Sequence, residues 1–147
     1  MRVTCIDFHG KKHFVDANAL IDRLSIYGVR IVDGKILLIQ DPRSLRWELP
    51  GGGVEDGETP EQSLAREFVE ETGAKPVGPI AFIKEWEEYF YDVVGRQAWR
   101  SKRKFYLVEN INSEDSARAE FMALDKIKTM SVASNIRQLI AEVSLNR

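Results

Sequence analysis

Glu67, Glu70 and Glu71 crowd one short stretch, with Arg66 beside them and Gly51-Gly52-Gly53 shortly before. Carboxylates gathered without interleaved lysine repel one another unless something cationic joins them. Hard divalent cations such as Mg²⁺ take such oxygen donors. The competing interpretation is a solvated acidic face, which is what most helical charge runs are.

The element that must position these groups is written around them. Thr59 is a good N-cap, Pro60 suits the first helical position and Gln62 completes a capping box. Gly73 supplies a left-handed stop, so the spacing predicts a helix over Pro60–Thr72. At about 100° per residue, Leu64, Ala65, Phe68 and Thr72 share one side. Glu67, Glu70 and Glu71 fill the adjacent arc, at the rim of the apolar side rather than opposite it. Three glycines before the helix let the backbone approach a ligand closely.

Taken together, Gly52, Glu58, Arg66, Glu67, Phe68, Glu70, Glu71, Gly73 and Ala74 resemble the signature of the Nudix hydrolase superfamily, with every fixed position met. The resemblance implies an α/β/α sandwich with a mixed β-sheet core. It implies a hydrolase of a nucleoside diphosphate linked to a further group, with Mg²⁺ or Mn²⁺ held by Glu67, Glu70 and Glu71. It makes Glu70, Glu67 and Arg66 the catalytic candidates. Arg66 is expected to orient a neighbouring carboxylate, Glu67 foremost, while Glu58 ties loop to helix and Gly51, Gly52 and Gly53 shape the loop. Glu70 is the first candidate for general base, and an acid near Glu114 and Asp115 is its rival. Two alternatives share the fold: a non-catalytic nucleotide-binding module, and a diphosphate isomerase whose cysteine would have to be Cys5.

Length and composition bound the rest. The chain has 147 residues, the size of one domain, and is expected to form a single unit over 1–147. A net charge of −2 argues against a nucleic-acid polymer or an anionic membrane as partner, leaving a small nucleoside diphosphate derivative. No apolar run has the length of a membrane span, and MRVTCIDFHG has no secretory core, so a cytoplasmic location is expected. Cys5 is alone and reads as a small core residue.

Along the chain, Arg2–Phe8 and His13–Val15 flank a turn, suggesting an N-terminal hairpin extension within 1–24 that could supply a homodimer edge. Ala17–Leu24 reads as a short helix or a link. Ser25–Val32 and Lys35–Gln40 surround Asp33-Gly34, a strong hairpin signal. A long hairpin is expected from Ile80 to Val108, turning at Gly95, with Glu88 facing Lys102 and Glu87 facing Arg103. The alternative use for Arg96, Arg100, Lys102 or Lys104 is substrate phosphate. Tyr89 and Tyr91 share one face of this hairpin and are expected on the nucleoside side of the pocket, while Trp47 anchors the glycine loop. Glu120–Leu124 reads as a strand, and Val132, Ile136, Leu139, Ile140 and Val143 as one face of a C-terminal helix.

Overall fold

The computed structural model describes residues 1–42, 45–112, 119–128, 130 and 136–145. In chain order the strands are β1 (Arg2–Ile6), β2 (Lys12–Asp16), β3 (Leu20–Val29), β4 (Ile31–Val32), β5 (Lys35–Gln40), β6 (Trp47–Glu48) and β7 (Gly51–Gly53). Helix α1 (Pro60–Thr72) follows, then β8 (Ala81–Asp92), β9 (Gln97–Leu107), β10 (Ala119–Ala123) and helix α2 (Ile136–Leu145). Short 3-10 turns cover Ala17–Ala19 and Leu124–Lys128.

A mixed sheet runs in the order β2-β1-β8-β9-β3-β7, and a smaller one in the order β10-β5-β4 with β6 added to β5. The strands must be apolar on both faces because a helix covers each side. On β5, Leu37 joins the cluster around Leu64 and Phe68 of α1, while Ile36 and Leu38 join the cluster around Ile136, Leu139, Ile140 and Val143 of α2. On β9, Tyr106 and Phe105 divide the same way. The outcome is the expected α/β/α sandwich. The hairpin at Asp33-Gly34 also forms, with both residues at positive φ (51° and 72°) as the turn requires.

Three elements differ from the sequence reading. β3 begins at Leu20, not Ser25, because it pairs in parallel with β9 over Leu20↔Ala98 to Val29↔Leu107. A partner so distant in sequence leaves no local pattern. The glycines form a strand, β7, not a loop, paired to β3 through Ser25↔Gly53 and Tyr27↔Gly51. The long hairpin is shifted by one residue, so that Glu87 faces Lys102 and Glu88 faces Ser101. The cause is its turn: the Asp92 carboxylate accepts from the N–H groups of Val94 and Gly95, both at 3.1 Å, and Arg96 takes a left-handed φ of 52°. The expected charge match between the strands survives the shift, as Arg103–Glu88 at 3.4 Å and Lys104–Glu85 at 4.0 Å.

The N-terminal hairpin is β1 against β2, joined to the large sheet through Ile6↔Phe90 of β8. Cys5 is fully buried on β1, and burial pushes its thiol up, the opposite of an activated nucleophile. Among the described residues no helix is long and apolar enough to cross a membrane.

Candidate active site

Helix α1 starts as its sequence dictates. The Thr59 hydroxyl accepts from the Gln62 N–H at 3.1 Å, and the Gln62 side chain accepts from the Thr59 N–H at 2.9 Å. Gly73 ends the helix at φ 75°, its N–H bonded to the Val69 carbonyl. Leu64 and Phe68 are buried and fix the rotation of the helix. Gly28 of β3 makes this possible, because a Cβ there would lie 2.9 Å from the Phe68 ring.

With that rotation set, the acidic arc meets β7. The Glu71 carboxylate accepts from the Gly51 N–H at 2.9 Å. The Glu67 carboxylate lies over Gly52, where a Cβ would come within 2.7 Å of an oxygen. Gly51 has no room either, since a Cβ would sit 2.1 Å from the Ile26 carbonyl oxygen. The glycines are thus explained by the close approach of carboxylates and of β3.

Arg66 is the hub. Its Nε and Nη2 donate to the two oxygens of Glu58 at 2.8 and 3.0 Å, and Nη2 also reaches the Gly53 carbonyl at 3.2 Å. Its Nη1 donates to Glu67 at 3.0 Å and lies 3.5 Å from Glu70. The expected pairing of Arg66 with Glu67 is present, and Glu58 in addition holds the fork. The two Glu58 oxygens meet two nitrogens of the planar guanidinium, the bidentate geometry such pairs favour. Glu58 in turn accepts from the Glu55 N–H at 2.9 Å, which ties the loop to the helix. The guanidinium and that N–H hold the Glu58 carboxyl down at about 2. Glu67 goes the other way: desolvation pushes it up, partly opposed by Arg66. Glu70 is the exposed member of the arc.

Glu55, Glu58, Glu67 and Glu70 all lie within 4 Å of the one guanidinium, at 3.8, 2.8, 3.0 and 3.5 Å. A local excess of carboxylate remains, with one member ionised at a cost. All-oxygen donors in that electrostatic state suit a hard divalent cation. Among the described residues no three acidic, cysteine or histidine side chains already converge as a cage. Glu114 and Asp115, the rival bases, lie outside the described residues.

Two clefts meet at Arg23 and Trp99. One, lined by Lys102, Lys104, Arg23 and the loop Gly53–Gly57, has a volume of about 790 Å³. The other, about 810 Å³, runs from Arg23, Tyr27 and Glu48 toward the N-terminal hairpin. Of the other cations weighed from sequence, Arg100 is bonded to Asp22 at 2.6 Å and Arg96 sits in the hairpin turn. Tyr89 borders the second cleft, with its hydroxyl 3.3 Å from Glu87. Tyr91 does not line either cleft; its ring stacks on His13 at 4.2 Å. Phe90 and Trp99, paired across the strands, line the second cleft with Tyr89.

Sequence reasoning missed Arg23, Arg46 and Glu48. Glu48 sits shortly before the glycines, and burial pushes its carboxyl up. An acid next to Trp47 in an otherwise apolar approach to β7 was a usable signal. Arg23 had none, because the strand carrying it was not recognised.

Residues 22–143 match the family model described as NUDIX domain. The RNA pyrophosphohydrolase of Aeromonas hydrophila is 44% identical over 59 residues, covering 39% of this chain and 34% of that protein. The RNA pyrophosphohydrolase of Sphingopyxis alaskensis is 32% identical over 93 residues, covering 57% and 59%. This chain therefore matches well under two thirds of the length of either relative. The solution structure of the E. coli ORF135 protein superposes with a TM-score of 0.68 at 21% identity, covering 90% of this chain and 96% of that one, a likeness of fold. The relatives' names overturn the exclusion of a nucleic-acid polymer drawn from net charge. Net charge averages the whole surface and does not describe one site, such as Arg23 standing beside Gly53 where the two clefts meet.

Proposed function

We propose, from the premise that this chain belongs to the NUDIX domain family, that it is a pyrophosphohydrolase cleaving a phosphoanhydride at the 5′ end of RNA. The observation that carries this reading is the acidic arc, with Glu67 held over β7 by Arg66 and Glu58, Glu71 bonded to the Gly51 N–H, and Glu70 exposed beside them. The names of the relatives support RNA over a free nucleotide, and Arg23, beside Gly53 and lining both clefts, is a cation placed to meet a phosphate.

The NUDIX-box fold generally binds a divalent metal, and here Glu67, Glu70 and Glu71 would hold Mg²⁺ or Mn²⁺, which supplies charge neutralisation and a more acidic water. The chain's own residues do the positioning. Glu58 fixes Arg66, and Arg66 fixes Glu67 over Gly52, so the carboxylate is in place before substrate arrives. Glu71 locks the strand that faces the phosphates through its bond to Gly51. Water attacks phosphorus: one P–O bond forms, the bridging P–O bond breaks, and the departing phosphate oxygen keeps the electron pair. Glu70, exposed beside Arg66, accepts the water's proton, with an acid near Glu114 and Asp115 as the alternative acceptor.

The test is a panel of nucleoside triphosphates, dinucleoside polyphosphates and 5′-triphosphorylated oligoribonucleotides, compared by kcat/KM. The oligoribonucleotides should lead. Free nucleotides leading by a wide margin would remove RNA from the reading and leave the hydrolase.

A further inference from the structure

We infer that the outer edge of β2 is an interface with a second copy of this chain, the two β2 strands pairing antiparallel about a twofold axis at Phe14. This interface is independent of the RNA reading. Strands β1 and β2 lie before residue 22, outside the stretch matched by the family model, so the matched domain does not account for the hairpin.

The large sheet ends at β2, and among the described residues no strand pairs with its outer side. An edge strand presents a row of N–H and C=O groups to any matching strand. Which groups face outward follows from the ladder with β1. The Asp7 N–H donates to the Lys11 carbonyl at 2.9 Å, and the Ala17 N–H to the Met1 carbonyl at 2.8 Å. Bonded pairs alternate along an antiparallel ladder, so between these two bonds His13 and Val15 turn their backbone groups toward β1. Lys12, Phe14 and Asp16 turn theirs outward.

The same three residues share one side-chain face, and all are exposed, Phe14 by 64%. A lysine on an edge strand is a common guard against pairing. Here the guard is self-complementary. With Phe14 opposite its own copy, Lys12 of each chain meets Asp16 of the other, and the three outward residues become the three hydrogen-bonded pairs. Opposite charges and aromatic rings directly across a ladder both stabilise it. A parallel pairing in register would set lysine against lysine, and a slip of one residue would turn the side chains to opposite faces. Within its own chain Lys12 stands opposite Ile6 and Phe14 opposite Thr4, while Asp16 stands opposite Arg2 and would lie between two cations.

The edge is held in shape before a partner arrives. Asp7, only 7% exposed, accepts from the N–H groups of His9 and Lys11 at 2.8 and 2.9 Å, and His13 Nε2 lies 2.7 Å from its other oxygen. The His13 ring stacks on Tyr91 of β8, which fixes the hairpin to the large sheet. Asp16 Oδ1 accepts from the Asn18 N–H at 2.8 Å, which fixes the end of the strand. A twofold contact uses this edge once on each copy, so assembly stops at a dimer. A five-residue strand gives an interface at the small end of the range, so the association is reversible.

The experiment measures the solution mass of the full chain by sedimentation equilibrium over a concentration series. The wild type should pass from monomer to dimer as concentration rises. Phe14→Pro removes an outward N–H, leaves the bonds to β1 in place and should abolish the dimer. Lys12→Glu and Asp16→Lys should each weaken dimerisation about tenfold or more, since either sets like charges opposite each other twice. Mixed in equal amounts, those two variants should form a dimer again, because every charge is then matched. Melting temperatures show that each variant is folded, and Phe14→Pro with Lys12→Glu decides the matter if Asp16→Lys, which loses the bond to Asn18, does not fold. A wild type that stays monomeric, a dimer undiminished in Phe14→Pro or Lys12→Glu, or a folded mixture that stays monomeric would overturn the interface.

Discussion

Arg66 grips Glu58 at two points, Nε to Oε2 at 2.8 Å and Nη2 to Oε1 at 3.0 Å, and reaches Glu67 only with its remaining nitrogen. The arginine therefore hangs from the loop before the helix, and the carboxylate over Gly52 hangs from the arginine.

This pair makes stability depend on pH in a known direction. The Glu58 carboxyl is held at about 2 in the folded chain, below the ordinary carboxylate value of about 4.3. A lowered folded value stabilises above the unfolded pKa and is lost as pH falls through the folded one. Glu58→Gln should melt below wild type at pH 7, with the gap closing between about pH 4 and pH 2. A gap that stays constant down to pH 2 would mean that the ionised pair contributes nothing.

The two glycines of β7 should fail differently. Gly51→Ala drives a Cβ into the backbone of β3, at 2.1 Å from the Ile26 oxygen, on a φ of 151°. It should lower the melting temperature strongly. Gly52→Ala meets the end of the Glu67 side chain at 2.7 Å, and that end can swing aside. It should keep most stability and lose kcat by about tenfold or more, since misplaced groups cost rate steeply. Equal melting of the two variants would contradict the distinction.

Glu70 and Glu71, adjacent in sequence, should part in the same way. Glu71→Ala removes the acceptor for the Gly51 N–H and should cost about 1–3 kcal/mol. For a chain of this size that is about 2–4 °C per kcal/mol. Glu70→Ala removes an exposed carboxylate and should change stability by less than about 0.5 kcal/mol while abolishing most turnover. Full activity in Glu70→Ala would exclude it as the proton acceptor.

How much of this was legible in the sequence follows from the range of each interaction. Helix α1, its cap and its stop are local, and Thr59, Gln62 and Gly73 declare them. The Asp33-Gly34 turn is local too. The parallel pairing of β3 with β9 is not, which hid Leu20–Leu24 and with it Arg23. The bond of Arg66 to its neighbour Glu67 was legible because sequence shows adjacency. The fork to Glu58 depends on how the loop folds back, and helical spacing says nothing of that. The hairpin register turned on a side chain, Asp92, closing the turn one position from where Gly95 alone would centre it. Tyr91 was expected at the nucleoside, and His13 from an otherwise separate hairpin occupies its face.

Gly28 carries a further consequence of that long-range packing. Gly28→Ala places a methyl group 2.9 Å from the Phe68 ring and 3.1 Å from Val108. Both are buried, so the overpacking should cost about 1–3 kcal/mol and tilt α1. Activity should fall with it, although Gly28 touches no residue of the acidic arc. Unchanged melting would show that the core yields more easily than its packing implies.

The central claim is that the acidic arc hydrolyses a phosphoanhydride at an RNA 5′ end. The most direct measurement is the mass of a 5′-triphosphorylated oligoribonucleotide after incubation with the wild-type protein and Mg²⁺, alongside a chelator-treated sample and Glu70→Gln. The account predicts conversion to the 5′-monophosphate by wild type, none with chelator, and loss of most conversion in the variant. An oligoribonucleotide of unchanged mass with Mg²⁺ present, or equal conversion in the thoroughly chelated sample, would contradict it.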